Sequence, residues 1–211
     1  MPDVLKCSQR SVVQAMAQRY DKNQVEAKLL RWEKFLGEFR LPEWEALPRI
    51  ELYMDQVIAL LGEYLGYLAA PEGAENFITP TMVNNYVKQK IVPAPVKKKY
   101  GRSHLACLLM LCICKQTLSM AVVRQMLPQG DEADIRRTYE TFREICAHMG
   151  TMFTQYVRAE AGEVFDPESD GDAAIDKLRM GAAVTAAHAK LLAVKLSQLQ
   201  LESGEEQGGR K

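Results

Sequence analysis

Apolar positions along the chain recur mostly three and four residues apart, the spacing of helix faces. Val25, Leu29, Trp32, Leu36 and Phe39 follow this rhythm and predict a helix within an N-terminal arm, residues 1–48. The segment RLPEWEALP, residues 40–48, interrupts it, because each proline disfavours helix at the residue before it. In residues 50–68, IELYMDQVIALLGEYLGYL, the rhythm returns through Leu52, Gln56, Val57, Leu60, Leu61, Tyr64, Leu65 and Leu68. That predicts one long helix, ended by Pro71 and Gly73. Thr79-Pro80 predicts the start of a short helix: threonine is a favoured cap, and proline fits the first turn, where its missing N–H has no partner. From Ile91 to Tyr100, β-branched residues, Pro93, Pro95 and three lysines predict a small hairpin with the prolines at its edges. Ser103 and Ser119 are expected caps for helices over 104–117 and 120–127. Ile135, Tyr139, Phe142, Cys146, Met149, Phe153 and Tyr156 make a heptad seam. A polar loop, 162–171, leads to an Ala-rich helix over 173–201, and residues 203–211 carry no apolar side chain and are expected to be disordered.

The pattern therefore predicts an all-α protein with a small β-hairpin wing. The domains expected are the arm, a domain at 49–130 that carries the wing, a helical dimerisation or effector region at 131–202, and the tail. With 211 residues and 47% apolar content the chain can bury a real core. Its longest apolar run, Leu105–Cys114, is about half of the ~20 residues that a bilayer crossing needs. No signal-like run opens the chain, so a cytoplasmic location is expected. The five cysteines are then expected to be free thiols rather than a disulfide framework.

Global charge is uninformative, since 27 basic and 27 acidic residues cancel. Their distribution is not. Residues 76–130 hold Lys88, Lys90, Lys97, Lys98, Lys99, Arg102, Lys115 and Arg124 but no Asp or Glu. That window carries +8, and the remainder of the chain −8. Neutral surfaces ordinarily mix both signs, whereas a one-sign segment attracts polyanions, nucleic acid above all. In the short helix, Thr81, Asn84, Asn85 and Lys88 share one face by i, i+3, i+4, i+7 spacing. Asparagine amides can bond adenine edges, and lysine can hold phosphate or guanine. An ordinary polar outer face accounts for those residues equally well, but not for the basic run after them. Helix, turn, polar-faced helix, basic hairpin and two capped helices are the plan of a winged helix-turn-helix.

On these residues the stretch Thr79–Leu127 resembles the DNA-binding domain of the MerR family. Asn84-Asn85-Tyr86 stands at its recognition-helix motif, Ile91-Val92-Pro93 at the helix exit, and Lys97-Lys98-Lys99-Tyr100 at the wing. Ser119 to Leu127 matches the last helix of the pattern. The chain departs from it in carrying Asn84-Asn85 where that family has Arg-Tyr, Lys90 where it has glycine, and a longer first helix over 50–68. A further resemblance, through LPEWEALPRIELYMDQV, ITPTMVNNYVKQKIVPAPVKKKYGR and CKQTLSM, is to a bacterial family of unknown function thought to consist of transcriptional regulators.

The resemblance implies a sequence-specific DNA-binding transcriptional regulator. Its expected contacts are Thr81, Asn84, Asn85, Tyr86, Lys88, Lys97, Lys98, Lys99, Tyr100 and Arg102. Tyr86 has two readings: the family pattern places an aromatic at the DNA, while the helical period points it at the core. The apolar faces of the long helices suggest a homodimer, which would read a palindromic site. A small apolar effector among Phe142, Met149, Met152, Phe153 and Tyr156 is the alternative to plain core there. A helical adaptor whose basic face binds an acidic protein or a membrane surface is the alternative function. Cys112 and Cys114, two apart on a helix, do not face each other as a metal pair would, though Cys112 or Cys146 could serve a redox switch. Asp166–Asp172 lacks the closing glutamate of a calcium loop. The three histidines are scattered, and no phosphate loop or nucleophile motif appears, so neither metal nor cofactor nor enzymatic activity is expected.

Overall fold

The computed structural model describes residues 19–68, 78–166 and 168–208, with side chains up to residue 199. Among them are eight α-helices: α1 (Lys22–Glu38), α2 (Met54–Leu65), α3 (Pro80–Lys88), α4 (Arg102–Cys114), α5 (Met120–Met126), α6 (Glu132–Glu160), α7 (Gly162–Phe165) and α8 (Gly171–Gly208). The protein is mostly helical, and no described helix is long and apolar enough to cross a membrane. Two compact units divide the chain. One comprises Met1–Phe39 with His148–Thr185, the other Arg40–Ala147 with Ala186–Lys211.

In the first unit Asp21 caps α1 by accepting the Gln24 N–H at 3.2 Å. The ring of Trp32 meets Phe153 edge-on at 5.7 Å, and Phe153 stacks on Tyr156 at 5.8 Å. Val164, Ala174 and Ile175 form a small core joined by Tyr20, Val25, Leu29 and Leu178. Tyr20 donates its hydroxyl to Asp176 at 3.0 Å, and Arg19 pairs with the same carboxylate.

The second unit is built around α4. Every residue from Leu105 to Cys112 is buried, so this helix has no polar side and other elements surround it. Helix α2 presents Val57, Leu61 and Leu65, one i, i+4, i+8 row, and packs against both α3 and α4. Full burial of each such side chain stabilises by about 1.5–3 kcal/mol. The 41–48 segment belongs here rather than to an arm. Leu41, Trp44 and Leu47 are buried, and Trp44 begins a short 3-10 turn. The Trp44 N–H donates to Glu140 at 3.0 Å, the Tyr139 hydroxyl donates to the Pro42 carbonyl at 2.7 Å, and the two rings sit 6.3 Å apart. The first half of α6 is thus part of this unit's core.

Several expectations need correction. Residues 50–68 are not one helix: α2 starts at Met54, because Leu52 is extended and pairs with Tyr100. The 79–80 start holds, with Thr79 accepting the Met82 N–H at 3.3 Å and Pro80 in the first turn. Helix α4 begins at Arg102, ahead of the expected Ser103 cap, since His104 Nδ1 accepts the Gly101 N–H at 3.0 Å. The main chain of α8 runs to Gly208, into the segment expected to be disordered. The expected helix end at Pro71 and Gly73 lies outside the described residues, as does the turn that would join α2 to α3.

The β-hairpin wing is also corrected. Among the described residues there is no strand, only two isolated antiparallel bridges, Leu52 with Tyr100 and Val96 with Lys99. Pro93 and Pro95 cannot donate to a ladder, so pairing on that leg stops at Val96. What remains is a two-residue turn.

Candidate nucleic-acid interface

Helix α3 sorts its residues by face. Val83 and Tyr86 are buried, while Thr81, Asn84, Asn85 and Lys88 are exposed. The helical period therefore decides the case of Tyr86, which is 7% exposed and faces the core. Its hydroxyl accepts from Lys115 at 2.9 Å, and that ammonium lies 5.5 Å from the ring centroid. The end of α3 is a Schellman motif: the Ile91 N–H returns to the Tyr86 carbonyl and the Lys90 N–H to the Val87 carbonyl, both at 3.0 Å. Such an end needs a left-handed residue, and Lys90 takes it with φ 56°.

The turn at 96–99 is closed by the Lys99 N–H bonding the Val96 carbonyl at 2.9 Å. Its central residues, Lys97 and Lys98, have φ 50° and 63°. Positive φ at both positions defines the tight turn whose twist suits a hairpin, normally filled by Asn or Gly. Lys90, Lys97 and Lys98 are the described non-glycine residues with positive φ, and all three are exposed.

The turn is anchored twice. Leu52 and Tyr100 exchange both backbone hydrogen bonds at 2.9 Å, and the two side chains are buried. Tyr100 is 3% exposed, so it too serves the core rather than an outer surface, and burial pushes its hydroxyl pKa up. On the other side, His104 Nδ1 accepts from Gly101, so in the neutral ring Nε2 carries the proton and faces the Ala94 carbonyl at 3.3 Å. Its ring meets Tyr100 edge-on at 5.4 Å.

The cations of the acid-free segment thus divide. Lys88, Lys90, Lys97, Lys98 and Arg124 are exposed. Arg102 donates to the carbonyls of Leu47 at 3.0 Å and Glu45 at 3.2 Å, tying α4 to the 44–47 turn. Lys99 is half-buried, its ammonium 5.5 Å from the Tyr53 ring centroid. Of the ten expected contacts, the structure turns Thr81, Asn84, Asn85, Lys88, Lys97 and Lys98 outward. Tyr86 and Tyr100 face inward, and Arg102 and Lys99 have intramolecular partners.

Sequence reasoning missed Tyr53 and His104. The first was hidden by reading 50–68 as helix; the second has a capping role that any residue able to accept a hydrogen bond could fill. The cysteines in and near α4 are poor nucleophiles. Burial pushes Cys107 and Cys112 up to about 12, and Cys114 and Cys146 up to about 11. Among the described residues no three His, Cys, Asp or Glu side chains gather as a metal site.

The Arg40–Ala147 part of this unit, with its basic turn and amide-bearing helix, holds a known domain. Residues 42–144 match the family described as "Domain of unknown function (DUF1836)", so a DUF1836 domain spans that part of the chain. Its limits follow the packing, from Pro42, which accepts the Tyr139 hydroxyl, to just past Arg143, which bonds Glu140 at 2.9 Å. No curated protein and no solved structure matches the chain.

Proposed function

We propose that the protein is a sequence-specific DNA-binding transcriptional regulator of MerR-like winged helix-turn-helix type, cytoplasmic and non-enzymatic. The observation that carries this is the exposed set on α3 and the 96–99 turn, within a segment free of acids. Thr81, Asn84 and Asn85 are placed to read base edges in the major groove, with Lys88 beside them. Lys97 and Lys98 hold phosphates at the turn, assisted by Lys99, Lys90 and the remaining donors of Arg102. Tyr86 and Tyr100 support this surface from beneath.

A homodimer completes the reading. In the second unit Leu192, Leu196 and Leu199 are 62%, 57% and 56% exposed and lie on one face of α8. Met126, 45% exposed, lines an open groove of about 450 Å³ with Leu196. A second copy related by a two-fold axis would cover this stripe with its own equivalent.

The test is duplex binding measured across a salt series. Changing Lys97, Lys98 and Lys99 together to Ala should weaken binding to any duplex and reduce the slope by about 0.9 for each lost phosphate contact. Asn85→Ala should instead erode preference for one base by about 1–3 kcal/mol. Retention of the full salt slope by the triple variant removes the turn from the mechanism, and no binding to any duplex removes DNA altogether.

A further inference from the structure

The pairing of Leu52 with Tyr100 fixes more than the buried side. Side chains alternate along extended chain, so with Leu52 and Tyr100 inside, Tyr53 and Lys99 point outward. They form the adjacent non-hydrogen-bonded pair, where opposed side chains lie closest. The ammonium-to-ring distance of 5.5 Å agrees with this. Closure of the turn sets Val96 against Lys99 on the other flank. The outcome is a row, Tyr53–Lys99–Val96, next to the exposed Lys97–Lys98 tip. Tyr53 is 58% and Val96 62% exposed. An aromatic ring and an aliphatic side chain flanking a cation, on the rim of a positively charged segment, match the alternation of apolar sugar and charged phosphate along a nucleic-acid strand.

We infer that Tyr53 and Val96 form a non-electrostatic contact with duplex DNA, seated on a deoxyribose or an exposed base face beside the phosphates held by Lys97–Lys99. This rests on the DNA-binding reading above. The acids nearby support a neutral target. Glu51 and Asp55 are exposed within two residues of Tyr53, so a phosphate directly on that ring would be opposed, whereas a sugar or base would not. Lys99, held over the ring, then bridges the two kinds of contact.

The experiment is fluorescence anisotropy of a labelled duplex with the full chain, over a sodium chloride series. Variants are Tyr53→Ala, Tyr53→Phe and the Lys97, Lys98, Lys99 triple alanine. The folding risk is small, because the cap at the start of α2 uses the backbone N–H of Tyr53 and the Gln56 side chain, 2.9 Å apart, not the ring. Circular dichroism melting confirms it. Tyr53→Ala should weaken binding roughly five- to tenfold, parallel to the wild type at every salt concentration. Tyr53→Phe should bind as the parent does. Unchanged affinity in Tyr53→Ala, while the lysine triple still loses slope, overturns this contact and leaves the DNA-binding reading standing. A Tyr53→Ala loss accompanied by a lower salt slope also overturns it, for the ring would then act only by holding Lys99. Absence of duplex binding by the parent protein overturns both, and saturable binding to an acidic peptide instead points to a protein partner.

Discussion

Replacing Lys90 with glycine should make the protein more stable and a weaker DNA binder. Lys90 sits just past the end of α3 with φ 56°, closing a Schellman motif whose two hydrogen bonds are both 3.0 Å. A side chain in that conformation crowds the following carbonyl, at roughly 1–2 kcal/mol, and glycine avoids it. Glycine gives back part of this, because its unfolded chain is freer by about 0.5–1 kcal/mol. The net gain is about 0.5–1 kcal/mol, about 1–4 °C in melting temperature for a chain of this size. Lys90→Ala is the necessary control. It removes the same charge but keeps the strained backbone, so it should melt no higher than the wild type. Both variants should weaken duplex binding equally, because they lose the same cation. Thermal unfolding by circular dichroism and anisotropy titrations at fixed salt give the two readouts. Equal melting temperatures for the Gly and Ala variants would refute the strain argument. Undiminished binding in both would show that the cation does not reach DNA.

Tyr139→Phe should destabilise by about 0.5–1.5 kcal/mol in urea unfolding, because the fully buried Tyr139 loses its 2.7 Å hydrogen bond to the half-buried Pro42 carbonyl; an unchanged midpoint would detach the 41–48 segment from α6. Alkaline titration should reveal the buried thiols. Cys107 and Cys112 are raised from 9.0 to about 12 by burial, so the unfolded chain loses these protons first. Stability is then intact below about pH 9 and falls between there and about 12, with a slope approaching 1.4 kcal/mol per pH unit for each thiol. Cys107→Ala should flatten that slope, and a slope identical to the wild type's would show that the thiol is not shielded. Leu196→Glu should shift the protein toward monomer in sedimentation equilibrium; a concentration-independent monomer in the wild type would dispose of the dimer.

What the sequence revealed and what it hid follow from the range of the interactions concerned. The start of α3 was legible because its signal is local: Thr79 and Pro80 act on the turn that they begin. Tyr86 was legible by period alone, and period outweighed the family pattern, since Val83 and Tyr86 share the buried row. The start of α2 was not legible. Leu52 fits a helical row as well as a strand pair, and the choice is made by Tyr100, a residue remote in sequence. The same blindness concealed Tyr53, whose outward direction exists only once that pair forms. Nor could composition tell an arginine engaged with carbonyls from one left for a ligand; Arg102 and Lys88 count alike in a tally of charge.

The three left-handed lysines give the strongest reason to treat the basic segment as more than a solvated face. Turns of this kind favour Gly, Asn or Asp on backbone grounds, and a helix end favours Gly. Lysine at all three sites is opposed by local conformational energy each time, and none of the three is buried where packing would compensate. Their common property is a long cationic side chain in a window without acids. Meanwhile Arg102 bonds carbonyls of the 44–47 turn and Lys115 bonds the Tyr86 hydroxyl, both within the same unit. The segment therefore has one set of cations that hold its shape and another placed outward against conformational preference. A surface selected only for solubility would have no use for that division; a surface that must meet a row of phosphates in a fixed register would.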